Sequence, residues 1–395
     1  MDWNTLSTLL PTALSATLYT ATQTMFLGRM IRKRPRAMPA LRPWVSILKP
    51  VAGLDEGLRE NLESFAELDY PAYEILFGVA SADDPAIPVV QAFLAAHPGL
   101  SARLIRTAPP SAAVLNPKVA QLLDLTKQAR GSVLVVSDAN VRVPKTYLRG
   151  LVGELLRPGV GLVSSVIAGS DARSLGALLE SAQLGAYVAP AVVSAHALGG
   201  RPITVGKSMA MRRVDLERVG GWESVAGVLA EDDVLGQRFD EMGFAVRLCL
   251  DPVENPTGRV SVLRTLERHT RWAKMRRSLV PLCFAFEPLL SPLLIASAVA
   301  LIAPSTLAFR ALGLALTLQI GAAFLGHTAL RARNAALLAA MEPFRCAALF
   351  ACWLLACAGR RVSWRGHAFT LARGSRLIPL TQEATLPESA GLSEG

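Results

Sequence analysis

Two apolar regions enclose a stretch of mixed composition, and this division limits the folds open to the chain. Residues 5–28 form one apolar run, and the sequence turns apolar again from Leu279. Only 18% of the residues are charged, whereas soluble proteins average about 25%. A helix of about 20 apolar residues is long enough to cross a bilayer. The sequence therefore predicts a soluble domain between membrane segments.

Four segments are predicted along the chain. Residues 1–38 form an N-terminal transmembrane anchor with a basic stop, and 40–275 form an α/β domain. Residues 276–377 form a C-terminal membrane region of two or three apolar segments, and 378–395 form a polar, disordered tail. Asp2 precedes the first apolar run and basic residues follow it, the reverse of a cleaved signal peptide. The positive-inside rule then places the N-terminus outside and the basic side in the cytosol.

The C-terminal membrane region contains apolar runs of different lengths. Residues 284–304 and 307–325 are candidate spans. Residues 346–358 are also apolar but short for a crossing, and arginines flank both ends. This pattern favours a re-entrant or interfacial segment there.

The basic charge lies beside the apolar runs. The net charge is +10, but the basic residues do not form one stripe with interleaved aromatics, as a nucleic-acid surface would. They indicate contact with anionic lipid headgroups instead. They cluster at Arg29, Arg32, Lys33, Arg34 and Arg36, and again from Arg264 to Arg277. The five cysteines form no CxxC pair and the five histidines are scattered, so no zinc site is expected.

Short β-rich runs alternate with helical patterns in the α/β domain. The strand runs are almost continuously apolar, as in a sheet covered on both faces. Ligands of such sheets bind at the carboxyl ends of the strands. Strands are predicted at 45–50, 73–80, 102–107, 132–140 and 161–168, and helices at 57–68, 87–96 and 118–128.

Two acidic sites fall at the ends of predicted strands. Asp83-Asp84-Pro85 fits either a helix N-cap followed by proline or an acid near a nucleotide. Asp138 fits either a turn or a carboxylate facing a ribose or a divalent cation on a diphosphate. Asn140 stands where a metal-binding Asp-x-Asp has its second carboxylate.

The segment Gly206-Lys207-Ser208 does not complete a phosphate-binding P-loop. That loop requires Gly-x4-Gly-Lys-Ser/Thr. Position 201 is Arg, and Gly200 is one residue too far away. An ATPase is therefore not expected.

Two further motifs are candidates for chemistry. Glu231-Asp232-Asp233 fits either favourable acid at a helix N-terminus or a general base that deprotonates a hydroxyl. Arg268 and Arg271 share a helix face with Trp272. They fit either a basic helix that binds lipid headgroups or a bidentate grip on a diphosphate.

The order of these motifs resembles the D, D, D, (Q/R)xxRW pattern of membrane glycosyltransferases with a GT-A, Rossmann-like fold. More closely, the chain resembles the ceramide glucosyltransferase family, glycosyltransferase family 21, as a bacterial member. The resemblance runs from about residue 45 to 280. The stretches that carry it are Leu48-Lys49-Pro50, Asn61 to Pro71, Asp83-Asp84-Pro85-Ala86, Asn116-Pro117-Lys118, Asp138, Gly220-Gly221 and Ala230-Glu231-Asp232.

The resemblance implies a role for each matched residue. Asp84 and Lys118 help to hold UDP, and Asp138 lies at the ribose, diphosphate and metal site, with Mg²⁺ or Mn²⁺. Asp232 is the base. Arg271 and Trp272, with Arg268 beside them, grip the pyrophosphate and shape the acceptor mouth.

The implied reaction is a single inverting displacement that forms a β-glycoside from a UDP-sugar. UDP-glucose and ceramide are the expected substrates, at a multi-pass inner-membrane enzyme whose catalytic domain is cytoplasmic. Val188 stands where the eukaryotic enzymes have a His, which leaves open a hopanoid acceptor with UDP-N-acetylglucosamine. A processive polysaccharide synthase, which needs more spans, and a non-catalytic membrane module are the remaining alternatives.

Overall fold

A computed structural model describes residues 3–33, 38–55, 57–364 and 367–380 of the chain. Arg34 and Arg36 of the predicted basic stop lie outside the described residues. Residues 381–395, most of the predicted tail, also lie outside them.

Seven strands form one mixed sheet in the order β3-β2-β1-β4-β6-β5-β7. Strand β6 is antiparallel to its neighbours β4 and β5, and the remaining neighbours are parallel. The strands are β1 Val45–Pro50, β2 Tyr73–Val79, β3 Ala102–Arg106, β4 Val133–Ser137, β5 Val160–Ser170, β6 Ser208–Arg212 and β7 Ala245–Pro256. Every residue of β1 and β4 is buried, as the continuous apolar runs predict.

Helices cover both faces of this sheet and form two apolar cores. One core includes Phe65 and Leu151, and the other includes Leu122 and Phe239. The helices that precede the C-terminal apolar region are α1 Trp3–Ile31, α2 Leu58–Ala66, α3 Ile87–Ala96, α4 Pro117–Gln128, α5 Tyr147–Leu155, α6 Leu175–Gln183, α7 Ala189–Leu198, α8 Arg213–Arg218, α9 Glu231–Glu241 and α10 Val262–Leu279. A π-helical turn, Leu184–Val188, joins α6 to α7.

Five helices follow α10, and they contain the predicted apolar runs. They are α11 Pro281–Phe286, α12 Pro292–Ile302, α13 Thr306–Ala329, α14 Ala335–Ala340 and α15 Glu342–Ala358. In the described part of the chain, α13 alone is long and apolar enough to cross a membrane by itself. The segments Pro281–Leu290 and Pro292–Ile302 could together form a second crossing, but they are bent by 73° at Ser291.

A small antiparallel sheet follows α15, and the chain beside it contacts the α/β domain. Its strands are β8 Arg361–Trp364, β9 His367–Leu371 and β10 Leu377–Pro379. Ser375, just before β10, accepts hydrogen bonds from the backbone N–H of Leu229 at its carbonyl (2.8 Å) and of Ala230 at its hydroxyl (2.9 Å). The region predicted as 276–377 therefore includes a sheet that holds the loop before α9.

The five predicted strands and three predicted helices are confirmed within a few residues, whereas β6 and β7 were missed. Strand β6 has the sequence SMAMR, without a β-branched or aromatic residue. Strand β7 includes Arg247, Asp251 and Glu254, so it lacks the continuous apolar pattern of the other strands.

Candidate active site

The topology of the sheet brings three loops together at the carboxyl end of β4. Strands β1 and β4 are parallel, so both end at this edge. Strand β6 is antiparallel and pairs Ser208 with Ser137, so it begins where β4 ends. The loop with Lys207 therefore lies beside the loop with Asp138, and the Asp138 N–H donates to the Lys207 carbonyl (3.1 Å).

Lys118 connects the acidic residues of this site. Its Nζ lies 2.8 Å from Asp138 Oδ1 and 3.0 Å from Glu231 Oε1, and it donates to the Gly206 carbonyl at 2.9 Å. Burial alone would lower the pKa of Lys118, but the negative charges of Asp138, Glu231 and Asp232 outweigh it and raise that pKa above its usual range. Lys118 therefore stays charged.

Asn116 sets the position of Lys118 at the start of α4. The Asn116 side chain accepts hydrogen bonds from the N–H groups of Lys118 (2.9 Å) and Val119 (3.1 Å), and Pro117 occupies the first turn. This is an N-cap with a helix-initiating proline. The Asn116 amide also donates to Glu231 Oε2 (3.2 Å), which ties α4 to α9.

Asp232 lies in the first turn of α9, beside the Lys118 cluster. Its Oδ2 accepts from the Gly206 N–H (2.6 Å) and its Oδ1 from the Asp233 N–H (2.8 Å). Burial and the neighbouring charge of Glu231 raise the pKa of Asp232 to about 7. A carboxylate with a pKa near neutrality suits a general base.

Gly206 permits the close approach of its loop to Asp232. A Cβ at position 206 would lie 2.7 Å from Asp232 Oδ2 and 2.9 Å from its Cβ. The Gly206-Lys207-Ser208 segment is therefore part of the site, although it is not a P-loop.

Two more lysines surround Asp138, and neither was assigned a role there from the sequence. Lys207 Nζ donates to Asn140 Oδ1 (2.8 Å) and lies 4.0 Å from Asp138 Oδ2. Lys49 is fully buried in β1, and its Nζ donates to the Asp138 carbonyl (2.8 Å) above the Phe65 ring. Burial lowers the pKa of Lys49 to about 7. A lysine inside an apolar strand is the one feature that could have identified Lys49.

Arg268 is paired with a buried carboxylate on α6. Its Nη1 donates to Glu180 Oε1 (3.0 Å), and His269 Nε2 lies 3.2 Å from Glu180 Oε2. Burial alone would raise the pKa of Glu180, but the hydrogen bond and charge of His269 and the charge of Arg268 lower it to about 2. The predicted role of Arg268 at a diphosphate stays a prediction, and its charge is already matched by Glu180.

Arg271 and Trp272 lie on the next turn of α10. Within the described ranges, the Arg271 side chain makes no hydrogen bond or ion pair. Burial and the nearby charge of Arg268 lower its pKa, which is the electrostatic setting that an anion would relieve. Trp272 packs on the apolar core and meets the His269 ring edge to face, at 5.1 Å between centroids.

Asp84 joins two loops at the same edge of the sheet. Its carboxylate accepts from the Gly53 N–H (3.0 and 3.1 Å) and from the Ala86 N–H (2.9 Å). The helix N-cap interpretation is wrong, because α3 begins at Ile87 with Ala86 as its N-cap and has no side-chain cap. Contact of Asp84 with UDP stays a prediction.

Asp138 and Asn140 offer the oxygen ligands that a divalent cation prefers. In the described part of the chain, no cluster of three or more His, Cys, Asp or Glu side chains could hold a metal alone. Mg²⁺ at nucleotide sites commonly takes one or two protein oxygens and completes its shell with phosphates and water. One carboxylate and one amide oxygen on the loop after β4 match this number of protein ligands, and a bound cation would share them with Lys118 and Lys207.

Comparisons with known proteins find relatives that are named ceramide glucosyltransferase. Ceramide glucosyltransferase 3 of Caenorhabditis elegans is 28% identical over 248 residues, which cover 62% of this chain and 53% of that protein. A ceramide glucosyltransferase of Komagataella phaffii is 29% identical over 133 residues, 33% of this chain and 26% of that protein. The chain thus spans about half the length of the first relative.

The fold is shared with a solved glycosyltransferase. A mannosyltransferase from Pyrobaculum calidifontis, in complex with GDP-Man and Mn²⁺, matches 89% of this chain and 97% of its own, with a TM-score of 0.50 and 21% identity. This likeness confirms the predicted GT-A fold.

The family is shown by its sequence model. The model of glycosyl transferase family 21 matches residues 8–377. The resemblance inferred from the motifs is thereby confirmed, and the chain belongs to glycosyl transferase family 21.

Proposed function

We propose that this protein transfers glucose from UDP-glucose to the hydroxyl of ceramide and forms a β-glucosylceramide with inversion. The main observation is that Lys118 links Asp138, at the end of β4, to Glu231, next to Asp232. This arrangement supports a site in which the loop after β4 binds the donor beside Asp232, whose pKa is raised to about 7. The relatives named ceramide glucosyltransferase support these substrates.

Asp232 acts as the base in this proposal. Each of its carboxylate oxygens accepts one backbone N–H and keeps a lone pair for a proton. The acceptor hydroxyl gives its proton to Asp232 while its oxygen bonds to the anomeric carbon. The bond from that carbon to the UDP oxygen breaks, and UDP leaves from the opposite face of the sugar.

In this proposal, positively charged side chains stabilise the diphosphate as it leaves. Arg271 has no ion-pair partner among the described residues, and Lys207 lies beside Asp138. Guanidinium and ammonium groups aimed at a departing phosphate stabilise its growing charge. A Mg²⁺ or Mn²⁺ ion held by Asp138 and Asn140, when bound, would supply further positive charge to the same group. Asp84 would fix the loops around the nucleotide.

We propose a multi-pass location in a bacterial inner membrane, with the catalytic domain in the cytosol. Helix α13 and the bent pair of apolar segments support it. The basic residues near α1 and on α10 lie on the predicted cytosolic side.

An acceptor-by-donor assay tests the substrates. Detergent-solubilised enzyme receives ceramide or a hopanoid, each with UDP-glucose, UDP-galactose, UDP-glucuronate or UDP-N-acetylglucosamine, and mass spectrometry reads the lipid. Hexosylceramide is the expected product. An N-acetylhexosaminyl hopanoid would indicate that the substrates are a hopanoid and UDP-N-acetylglucosamine. The proposed mechanism would then stay the same. A polymer would indicate a processive synthase.

An Asp232→Asn variant tests the base. The expected loss of kcat is at least a hundredfold, since general base catalysis contributes about 10²- to 10⁴-fold. Asp240→Asn makes the same change on an exposed position of α9 and should retain activity. An Asp232→Asn protein that works at the wild-type rate would show that Asp232 is not the base.

A further inference from the structure

A small cavity lies where α10 meets the apolar helices. Its volume is about 50 Å³, which is room for a few water-sized groups. Its lining includes the polar side chains of Tyr187, Arg276, Glu287 and Arg345 and the apolar side chains of Leu294, Phe350 and Trp353. A lining that combines polar groups with aromatic rings suits an amphiphile.

Tyr187, Arg276 and Glu287 form a hydrogen-bonded network in which Arg276 has further N–H donors available. The Tyr187 hydroxyl donates to Glu287 Oε1 (2.6 Å), and Arg276 Nε donates to Glu287 Oε2 (3.2 Å). Arg276 Nη2 also lies 2.8 Å from Glu287 Oε1. A guanidinium has five N–H donors, so Arg276 keeps donors for a ligand while its charge is balanced by Glu287.

Tyr187 reaches the cavity from the π-helical turn Leu184–Val188. Such turns are rare and often occur at functional sites. A Cβ on Gly185, in the same turn, would lie 2.4 Å from His327 Nδ1 of α13. The π-helical turn therefore packs closely against α13. This packing fixes the direction in which Tyr187 points.

The cavity and the candidate active site are connected by the same two segments. The chain from α6 into the π-helical turn carries Glu180 and then Tyr187, and α10 carries Arg268 and then Arg276. Arg268, Trp272 and Arg276 are spaced four residues apart, so they follow one side of α10. Eight residues of helix span roughly 12 Å. The cavity is thus about two helical turns from the Arg268–Glu180 pair, beyond Trp272 and toward the apolar helices.

We propose that this cavity binds the polar end of the lipid acceptor at the point where its hydrocarbon chain begins. The amide or a second hydroxyl of the lipid contacts Tyr187 and Arg276. The hydrocarbon chain leaves along Phe350 and Trp353, between α15 and the bend at Ser291. This inference rests on the proposed function, because it names where that function takes its acceptor.

Photo-crosslinking locates the acceptor without requiring turnover. The full-length protein in detergent is irradiated with a ceramide that carries a diazirine in its acyl chain close to the amide, and peptides are mapped by mass spectrometry. Crosslinks to α10, α12, α15 or the π-helical turn are expected. Crosslinks confined to other parts of the chain would overturn the proposal.

Kinetics of two variants provide the second test. Tyr187→Phe removes one hydroxyl, and Leu294→Phe fills the cavity. Both should raise the KM for ceramide at least tenfold and leave the KM for UDP-glucose and the slow hydrolysis of UDP-glucose by water within twofold of wild type. Tyr73→Phe is the matched control, because the Tyr73 hydroxyl binds the Phe65 carbonyl far from the cavity.

Failure of the proposed function and failure of the cavity assignment give different experimental results. If the wild-type protein glycosylates no lipid in the acceptor-by-donor assay, the proposed function fails. If the wild type glycosylates ceramide and both variants keep its acceptor KM within twofold, only the cavity assignment fails. A variant that also loses UDP-glucose hydrolysis has a damaged donor site, and the crosslinking map then decides.

Discussion

Replacement of Lys118 by Met removes the cation that connects the acidic residues of the site. Methionine keeps most of the side-chain volume, so the main loss is the ammonium group with its contacts to Asp138, Glu231 and the Gly206 carbonyl. Removal of one partner of a buried ion pair costs about 3–5 kcal/mol. The Glu231 side chain is 7% exposed but that of Asp138 is 29% exposed, so water screens part of the loss and the lower end, about 3 kcal/mol, applies.

This loss is large enough to measure as a melting temperature. For a domain of this size, 1 kcal/mol shifts Tm by roughly 2–4 °C, so we expect Lys118→Met to melt about 6–12 °C lower. The pH profile of any residual activity should also move upward, because the charge of Lys118 lowers the pKa of Asp232. The measurements are fluorescence-detected unfolding in detergent and kcat/KM for UDP-glucose between pH 5.5 and 9.

Lys127→Met is the matched control on the same helix. Lys127 is 71% exposed and pairs with Asp124 at 3.1 Å, and exposed pairs of this kind contribute little. Its Tm should stay within about 2 °C of wild type. If both variants melt alike and the pH profile does not move, Lys118 does not hold the carboxylates together and the reasoning is refuted.

Three further predictions concern the base and its surroundings. Because the base must be deprotonated and its pKa is raised to about 7, kcat/KM should rise with pH and be about tenfold below its plateau at pH 6; a flat profile from pH 5.5 to 8 would exclude Asp232 as the titrating group. Ser375→Gly suits the local φ of 62° but leaves the Ala230 N–H without its hydroxyl acceptor. This loss costs about 1–3 kcal/mol of stability, so Tm should fall by about 2–12 °C, whereas Ser363→Ala on the exposed side of β8 should have no effect. If a divalent cation binds at Asp138, EDTA should abolish activity and Mn²⁺ or Mg²⁺ should restore it. Full activity in EDTA would show that the reaction needs no metal.

The sequence predicted the parts of the fold that depend on local patterns. Strands β1 and β4 are buried on both faces, so their apolar runs could be recognised and their ends placed Asp138 at a ligand-binding edge. Strand β6 could not be recognised, because its sequence SMAMR has no β-branched or aromatic residue and its Ala and Met residues favour a helix. The antiparallel direction of β6 is what brings Lys207 beside Asp138, so the role of Lys207 was missed with it.

The partners of charged residues also could not be predicted. Arg268 looked free to grip a diphosphate, but Glu180, 88 residues earlier, binds it. Lys118 was matched by resemblance alone, and its contacts come from two separate loops and the first turn of α9. Pairing over such distances is decided by tertiary packing, which one sequence does not reveal.

The small C-terminal sheet has a consequence for how the protein is made. The loop before α9 obtains its hydrogen bonds from Ser375, yet Ser375 is translated 145 residues after Ala230, following every described helix from α9 to α15. A nascent chain therefore holds a nearly complete α/β domain for some time before Asp232, the proposed base, is fixed in place. Activity should appear only after the last apolar helices have been synthesised, so an unfinished or misinserted chain would consume little UDP-sugar.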